Sequence, residues 1–225
     1  MQHTKLILFD LDGTLLNTIS DLAHSTNHAL EKNGFPTHPI EAYKLFVGNG
    51  MNKLFERALP EGEKTDENIA KIRKTFLPRY DSHNTEYTEP YEGIPELLHA
   101  LQSEGLKMAV ASNKYQQATE KLISRYFPEI SFIAVFGQRE GVPVKPDPAI
   151  VFEILKIAGL PAAEALYAGD SGVDMKTALN SGVTSIGVTW GFRPRSELES
   201  NGAVYIAESP EDILNLTKIH ASARK

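Results

Sequence analysis

Cysteine is absent from all 225 residues. That excludes a disulfide framework, a thiolate nucleophile and any cysteine-ligated zinc site, and it suits a reducing, cytoplasmic setting. Long apolar runs are missing too: none approaches the ~20 residues that a membrane-spanning helix needs. The N-terminal Met1-Gln2-His3-Thr4-Lys5 leads straight into a strand-like run and lacks a signal-peptide layout. There is no basic excess. The 23 Lys and Arg residues face 29 Asp and Glu, giving a formal net charge of −6, which argues against a general nucleic-acid binder. No internal repeat or low-complexity tract interrupts the chain.

Hydrophobic residues make up 41% of the chain, enough for one large α/β domain or a core with a small insertion. Short apolar runs alternate with helical patterns, as in βα units around a parallel sheet. Strands are expected at Leu6–Phe9, Met108–Ala111, Ile133–Phe136, Ala165–Ala168, Thr184–Val188 and Val204–Ile206. Helices are expected at Pro95–Glu104, Gln116–Tyr126, Pro148–Ala158, Val173–Ser181 and Pro210–Thr217. Gly105, Gly159 and Gly182 stand just past helical patterns, where a left-handed residue ends a helix. The alternation breaks after the first strand. Three helical patterns follow (Ile19–Asn33, Met51–Leu59 and Glu67–Tyr80), punctuated by Pro36 and Pro39 and lacking a convincing strand. The expected division is a core of residues 1–16 and 85–225 and a helical cap of residues 17–84. An insertion at the end of a strand sits over the ligand crevice of an open α/β sheet, where it can serve as a lid.

Four segments at the ends of apolar runs carry polar groups. They are Asp10-Leu11-Asp12-Gly13-Thr14, Ser112-Asn113-Lys114, Lys145-Pro146-Asp147-Pro148, and Gly169-Asp170-Ser171-Gly172-Val173-Asp174. In a parallel sheet such strand ends converge on one edge. Each residue alone has an ordinary structural use, as a helix cap, a dipole partner or a surface charge. Together, Asp10, Asp12, Asp170 and Asp174 bring four negative charges against the single positive charge of Lys145, a cluster that repels itself without a cation. Its donors are all hard oxygens, which suits Mg²⁺ and phosphate chemistry rather than zinc. Competing motifs fail: an EF-hand would need Asp or Asn and then Gly where Thr14 and Leu15 stand, and no P-loop is present. Gly48-Asn49-Gly50 lacks the third glycine of a dinucleotide fingerprint and reads as a turn opening a helix, with N–H groups able to face an anion.

With these four segments in this order, the whole chain resembles the haloacid dehalogenase-like hydrolase superfamily. The resemblance implies a Rossmann-like core with a C1-type helical cap. Because Asp12 is present, it implies a phosphatase or phosphomutase rather than a dehalogenase. Phe46-Val47-Gly48-Asn49-Gly50, Lys145-Pro146-Asp147-Pro148 and Trp190-Gly191-Phe192 are similar to the phosphoglycolate phosphatase group. The expected activity is therefore Mg²⁺-dependent hydrolysis of a small phosphorylated metabolite, foremost 2-phosphoglycolate. Phosphatases for pyrophosphate, sugar phosphates or nucleotides and a β-phosphoglucomutase-like mutase are the alternatives, and a non-enzymatic phospho-receiver is a remote one.

On that resemblance Asp10 is the nucleophile and Asp12 the general acid and base. Ser112 and the Asn113 N–H hold phosphoryl oxygens, and Lys145 pairs with the phosphate or with Asp10. Mg²⁺ is held by Asp10, Asp12 (through its carbonyl) and Asp170, with Asp174 as a ligand or one shell out, where it steadies Lys145. Crowding among the carboxylates is expected to raise the pKa of Asp12. Thr14, Gly48, Asn49 and Gly50 are candidate substrate contacts, with Arg57 as a further candidate in the cap; Arg193 and Arg195 have the reach for a substrate carboxylate but read more simply as solvated loop residues. His24 and His28, four apart on a helix, have metal-ligand spacing but read more simply as a helix face. The chain is expected to be a monomer or homodimer, with no nucleic-acid or membrane partner.

Overall fold

A computed structural model describes residues 4–220. The Met1–His3 part of the N-terminal reading lies outside the described residues. In chain order the strands are β1 (Leu6–Phe9), β2 (Leu16–Asn17), β3 (Glu89–Pro90), β4 (Lys107–Tyr115), β5 (Phe132–Gln138), β6 (Ala165–Gly169), β7 (Thr184–Val188) and β8 (Tyr205–Ala207). The helices are α1 (Ile19–Lys32), α2 (Ile40–Phe46), α3 (Met51–Ala58), α4 (Asp66–His83), α5 (Ile94–Ser103), α6 (Gln116–Tyr126), α7 (Ala149–Ala158), α8 (Gly172–Ser181), α9 (Arg195–Ser200) and α10 (Pro210–His220).

Six strands form one parallel sheet in the order β5-β4-β1-β6-β7-β8. The chain leaves β1 for β4 and β5 on one side, then crosses back to β6, β7 and β8 on the other. That reversal opens a crevice beyond the carboxyl ends of the central strands. Phe9 lies opposite both Val110 and Ala168, so the residues following each converge on the same edge.

Strand alternation divides the apolar residues between two faces. Ile7, Phe9, Met108, Val110, Leu166 and Ala168 face helices α5, α6 and α10. Leu6, Leu8, Ala109, Ala111, Ala165 and Tyr167 face α7 and α8. Both faces are covered, which explains why these strands read as continuous apolar runs. Helices α7 and α8 end at Gly159 and Gly182 with φ of 66° and 71°, left-handed backbone that glycine adopts without strain.

Helices α1–α4 pack around a separate apolar cluster that includes Leu22, Leu30, Tyr43, Leu54, Phe55, Ile72, Phe76 and Tyr80. Ala118 of α6 and Phe192 of the β7–α9 loop also join it. The segments entering and leaving these helices pair as the antiparallel ribbon β2–β3, Leu16 opposite Pro90 and Asn17 opposite Glu89. Two-residue strands have no alternation to detect, so the sequence pattern shows only linkers there. Helix α2 is also unanticipated. It is one short amphipathic stretch behind Pro39, and its buried contact is Tyr43 alone. The β4 strand runs four residues past its expected end, through Ser112, Asn113 and Lys114 to Tyr115.

Candidate active site

Asp10 follows β1 directly and is buried; its N–H donates to the Ala168 carbonyl at the end of β6. Burial pushes the Asp10 carboxyl up to about 7; Lys145 opposes this, while Asp174 and Asp12 add to it. Asp170 begins the β6–α8 loop, and burial together with the charges of Asp174 and Asp10 also raises its pKa well above the carboxylate range. One oxygen from each of Asp10, Asp170 and Asp174 lies within 4.8 Å of the others. The expected carboxylate crowd therefore exists, but it is not centred on Asp12. The Asp12 carboxylate accepts from Thr18 Oγ1 at 2.7 Å and from Lys114 Nζ at 2.9 and 3.1 Å, so its nearest charge is a cation.

Lys145 is the positive centre beneath the acids. Its buried ammonium donates to the Ala111 carbonyl (2.9 Å), Tyr167 Oη (3.0 Å) and Asp174 Oδ1 (2.7 Å). It stands 3.0 Å from Asp10 Oδ1, an ion-pair approach without hydrogen-bond alignment. That Asp10 oxygen is buried and, among the described residues, meets the Lys145 ammonium as an ion pair rather than through an aligned hydrogen bond. Burial alone would lower the Lys145 pKa, but Asp10 and Asp174 outweigh it and hold the ammonium charged. Asp174 is fixed from both sides: Oδ1 takes Lys145, and Oδ2 closes a capping box with the N–H and hydroxyl of Ser171 at the start of α8.

Backbone close to Asp170 is admitted by two glycines. A Cβ on Gly13 would stand 2.3 Å from Asp170 Oδ2, and one on Gly191 would stand 2.2 Å from Asp170 Cβ. The space is used: Phe192 N–H donates to Asp170 Oδ2 at 2.7 Å, and Trp190 Nε1 donates to the Thr14 carbonyl. The Trp-Gly-Phe segment thus braces the first acidic loop.

A cavity of about 40 Å³ opens over Asp10, Asp12, Ser112, Asn113 and Lys114. At about 10–15 Å³ per water, it has room for roughly three water molecules. The α1–α4 helices supply its roof through Leu22, Val47, Gly48, Gly50, Met51, Leu54, Phe76 and Tyr80. Asn113 ties roof to floor. Its Nδ2 donates to the Gly48 carbonyl (3.0 Å) and the Lys145 carbonyl (3.1 Å), and its Oδ1 accepts from Lys145 N–H (2.8 Å).

The structure thus brings Asp10, Asp12, Ser112, Asn113, Gly48 and Gly50 to one cavity, with Lys145, Asp170 and Asp174 around Asp10. Thr14 and Asn49 are not among the cavity's lining. Thr14 is wholly buried with Oγ1 3.5 Å from Asp170, and Asn49 Oδ1 accepts from Arg57. Arg57 itself binds the Leu45 and Phe46 carbonyls at the end of α2, and Arg193 binds those of Leu45 and Val47. Arg195 pairs with Glu199 and Glu208 at the surface. None of the three arginines lines the cavity. His24 is exposed with its ring tilted 38° against that of Tyr87, and His28 is half-buried on the same helix. Lys114, Thr18, Tyr80 and Tyr167 are the contributors that sequence reasoning did not single out. Lys114 was visible only as the third residue of the Ser-Asn-Lys stretch.

The profile of haloacid dehalogenase-like hydrolases matches residues 7–188. The chain is 34% identical over 206 residues to the phosphoglycolate phosphatase of Pseudomonas syringae pv. tomato, covering 90% of this chain and 76% of that one. It is 30% identical over 218 residues to the phosphoglycolate phosphatase of Mannheimia succiniciproducens, covering 94% and 97%. A solved structure from Lactobacillus delbrueckii subsp. bulgaricus superposes with a TM-score of 0.88 at 31% identity, covering 98% of this chain and 99% of that one.

Proposed function

The chain belongs to the haloacid dehalogenase-like hydrolases, and from that premise we propose that it is a Mg²⁺-dependent phosphatase that cleaves 2-phosphoglycolate to glycolate and phosphate through an aspartyl-phosphate on Asp10. The observation that carries the reading is the Asp10 carboxylate: buried at the tip of the central strand, 3.0 Å from the Lys145 ammonium and grouped with the carboxylates of Asp170 and Asp174. Similarity to phosphoglycolate phosphatases over most of the chain supports the substrate.

The donor set fits a small hard cation. Three buried carboxylates stand close together with no nitrogen or sulfur donor among them. Asp10 and Asp170, with the Asp12 carbonyl, would hold Mg²⁺, while Asp174 is already engaged with Lys145 and Ser171 and acts by positioning them. Bound there, Mg²⁺ offsets the charge on the phosphoryl oxygens.

The remaining work falls to the chain's own side chains. An Asp10 oxygen attacks phosphorus, and the bond from phosphorus to the ester oxygen breaks. Asp12, held at the cavity by Thr18 and Lys114, delivers a proton to the departing oxygen. In the second step Asp12 takes a proton from water as that water attacks the aspartyl-phosphate, freeing Asp10 and releasing inorganic phosphate. The Ser112 hydroxyl and the Asn113 N–H donate to phosphoryl oxygens, and Lys145 holds the charge of Asp10 and the phosphate together. Residues 17–84 act as the cap over the core of residues 1–16 and 85–225, excluding bulk water during transfer.

The test is inorganic phosphate release from 2-phosphoglycolate, pyrophosphate, hexose and pentose phosphates and nucleoside monophosphates, with and without Mg²⁺. The expected outcome is Mg²⁺-dependent release with the highest kcat/KM on 2-phosphoglycolate. Isomerised sugar phosphate without free phosphate would make the protein a mutase, and no turnover of any ester would overturn the reading.

A further inference from the structure

Lys114 is a buried cation that the phosphoryl-transfer steps leave only partly employed. Its side chain is 3% exposed, yet it lines the cavity, and among the described residues no other lysine or arginine does. An ammonium has three N–H donors. Two of them reach the oxygens of Asp12, and among the described residues no acceptor takes the third. Below the ammonium lies the ring of Tyr80, 4.9 Å from Nζ to centroid, which favours a cation at that place. Tyr80 also lines the cavity, and its hydroxyl is buried without a hydrogen-bond partner among the described residues. A buried hydroxyl left unpaired costs about 1–3 kcal/mol, so two unspent donors at one wall are a feature that needs a ligand to explain it.

The rest of the wall sharpens what that ligand is. Leu22, Met51, Leu54 and Phe76 are apolar and offer nothing to a sugar hydroxyl or a base edge. Lys114 touches Asp12, and Asp12 is the group that serves the ester oxygen. The ammonium therefore stands within one short spacer of the scissile bond. A leaving group that meets it must carry negative charge close to its ester oxygen.

We propose that Lys114, assisted by the Tyr80 hydroxyl, is the specificity-determining site for a carboxylate on the leaving group, one carbon removed from the ester oxygen. This rests on the phosphatase reading above and adds to it the residue that selects the acid. The free N–H of Lys114 binds the carboxylate while the other two stay on Asp12. A leaving group of the same length with a hydroxyl in place of the carboxylate loses the ionic contact and leaves the ammonium unpaired on that side.

The test compares 2-phosphoglycolate with 2-hydroxyethyl phosphate in the wild type, K114M, K114R and Y80F, all with Mg²⁺. The wild type is expected to prefer 2-phosphoglycolate in kcat/KM by 30-fold or more. In K114M both substrates lose turnover because Asp12 loses its partner, but the preference is expected to collapse to within threefold. K114R keeps the cation and is expected to keep most of the preference, and Y80F is expected to reduce it severalfold, mainly through KM. Should K114M fail to fold, Y80F and K114R decide. A preference unchanged in K114M, or unchanged in Y80F and lost in K114R, overturns the assignment. Phosphate release without any preference for the acid in the wild type overturns it too while leaving the phosphatase reading intact, whereas no release from either ester removes both.

Discussion

Asp10 is held in a place that disfavours its own charge. In the metal-free protein burial raises its pKa from 3.8 to about 7, with Asp174 and Asp12 adding to the effect. The folded state therefore keeps a proton up to about pH 7 that the unfolded chain releases near 3.8. The native state binds more protons across that window, so metal-free stability falls as the pH rises from about 4 to 7. Asp10→Asn removes the penalty. It is expected to abolish turnover by at least about 10³-fold while making the metal-free protein more stable than wild type at pH 8 by roughly 1–4 kcal/mol. Thermal unfolding in chelator checks this, and a variant less stable than wild type at pH 8 would contradict the electrostatic account. Asp10, Asp12, Ser112, Lys145, Asp170 and Asp174 were legible in the sequence because each stands beside an apolar run or a turn signal. The partner of Asp12 was not: Lys114 lies 102 residues away, and no local spacing encodes that approach. Tyr167 was hidden for another reason, since an apolar run containing one tyrosine reads as core until Lys145 is seen to reach its hydroxyl.

Helix α1 carries a joint that decides how the four-helix group meets the sheet. Asp21, buried in its first turn, accepts from Tyr87 N–H (3.1 and 3.2 Å), Thr88 N–H (2.9 Å) and Thr88 Oγ1 (2.7 Å). Tyr126 of α6 then donates to the Thr88 carbonyl at 2.7 Å. These contacts fasten the segment leading to β3 against the helix that follows β2. Asp21→Ala leaves buried donors without partners and is expected to cost about 2–4 kcal/mol, read as a lower urea midpoint. A loss under about 0.5 kcal/mol would show that the ribbon, rather than Asp21, holds the joint. The long elements were legible because periodicity over ten or more residues, as in α1, α6 and α7, outweighs local noise. The β2–β3 ribbon, α2 and α9 are too short to carry a period, and their form is set by what they pack against.

Across the whole molecule, two arrangements meet at one cavity. The sheet order places β4 and β6 on either side of β1, so three acidic or basic loops far apart in sequence share one edge. Alternating apolar runs reveal that the strands exist and are parallel, but not which are neighbours; that order comes from the crossover. The helical group is docked on the floor at the Leu45–Gly48 segment, where Arg193 binds the Leu45 and Val47 carbonyls and Asn113 binds that of Gly48. The formal charge of −6 is compatible with an anionic substrate because Lys114 and Lys145 are buried beside Asp12 and Asp10 at the cavity. The proposed chemistry at this cavity is transfer of a phosphoryl group onto Asp10. Its most direct test is intact-protein mass spectrometry after rapid acid quench of the enzyme turning over 2-phosphoglycolate with Mg²⁺, followed by peptide mapping. One added phosphoryl group per chain is expected on the peptide containing Asp10, absent in Asp10→Asn. Steady phosphate release with no phosphorylated peptide, and with turnover surviving in Asp10→Asn, would contradict it.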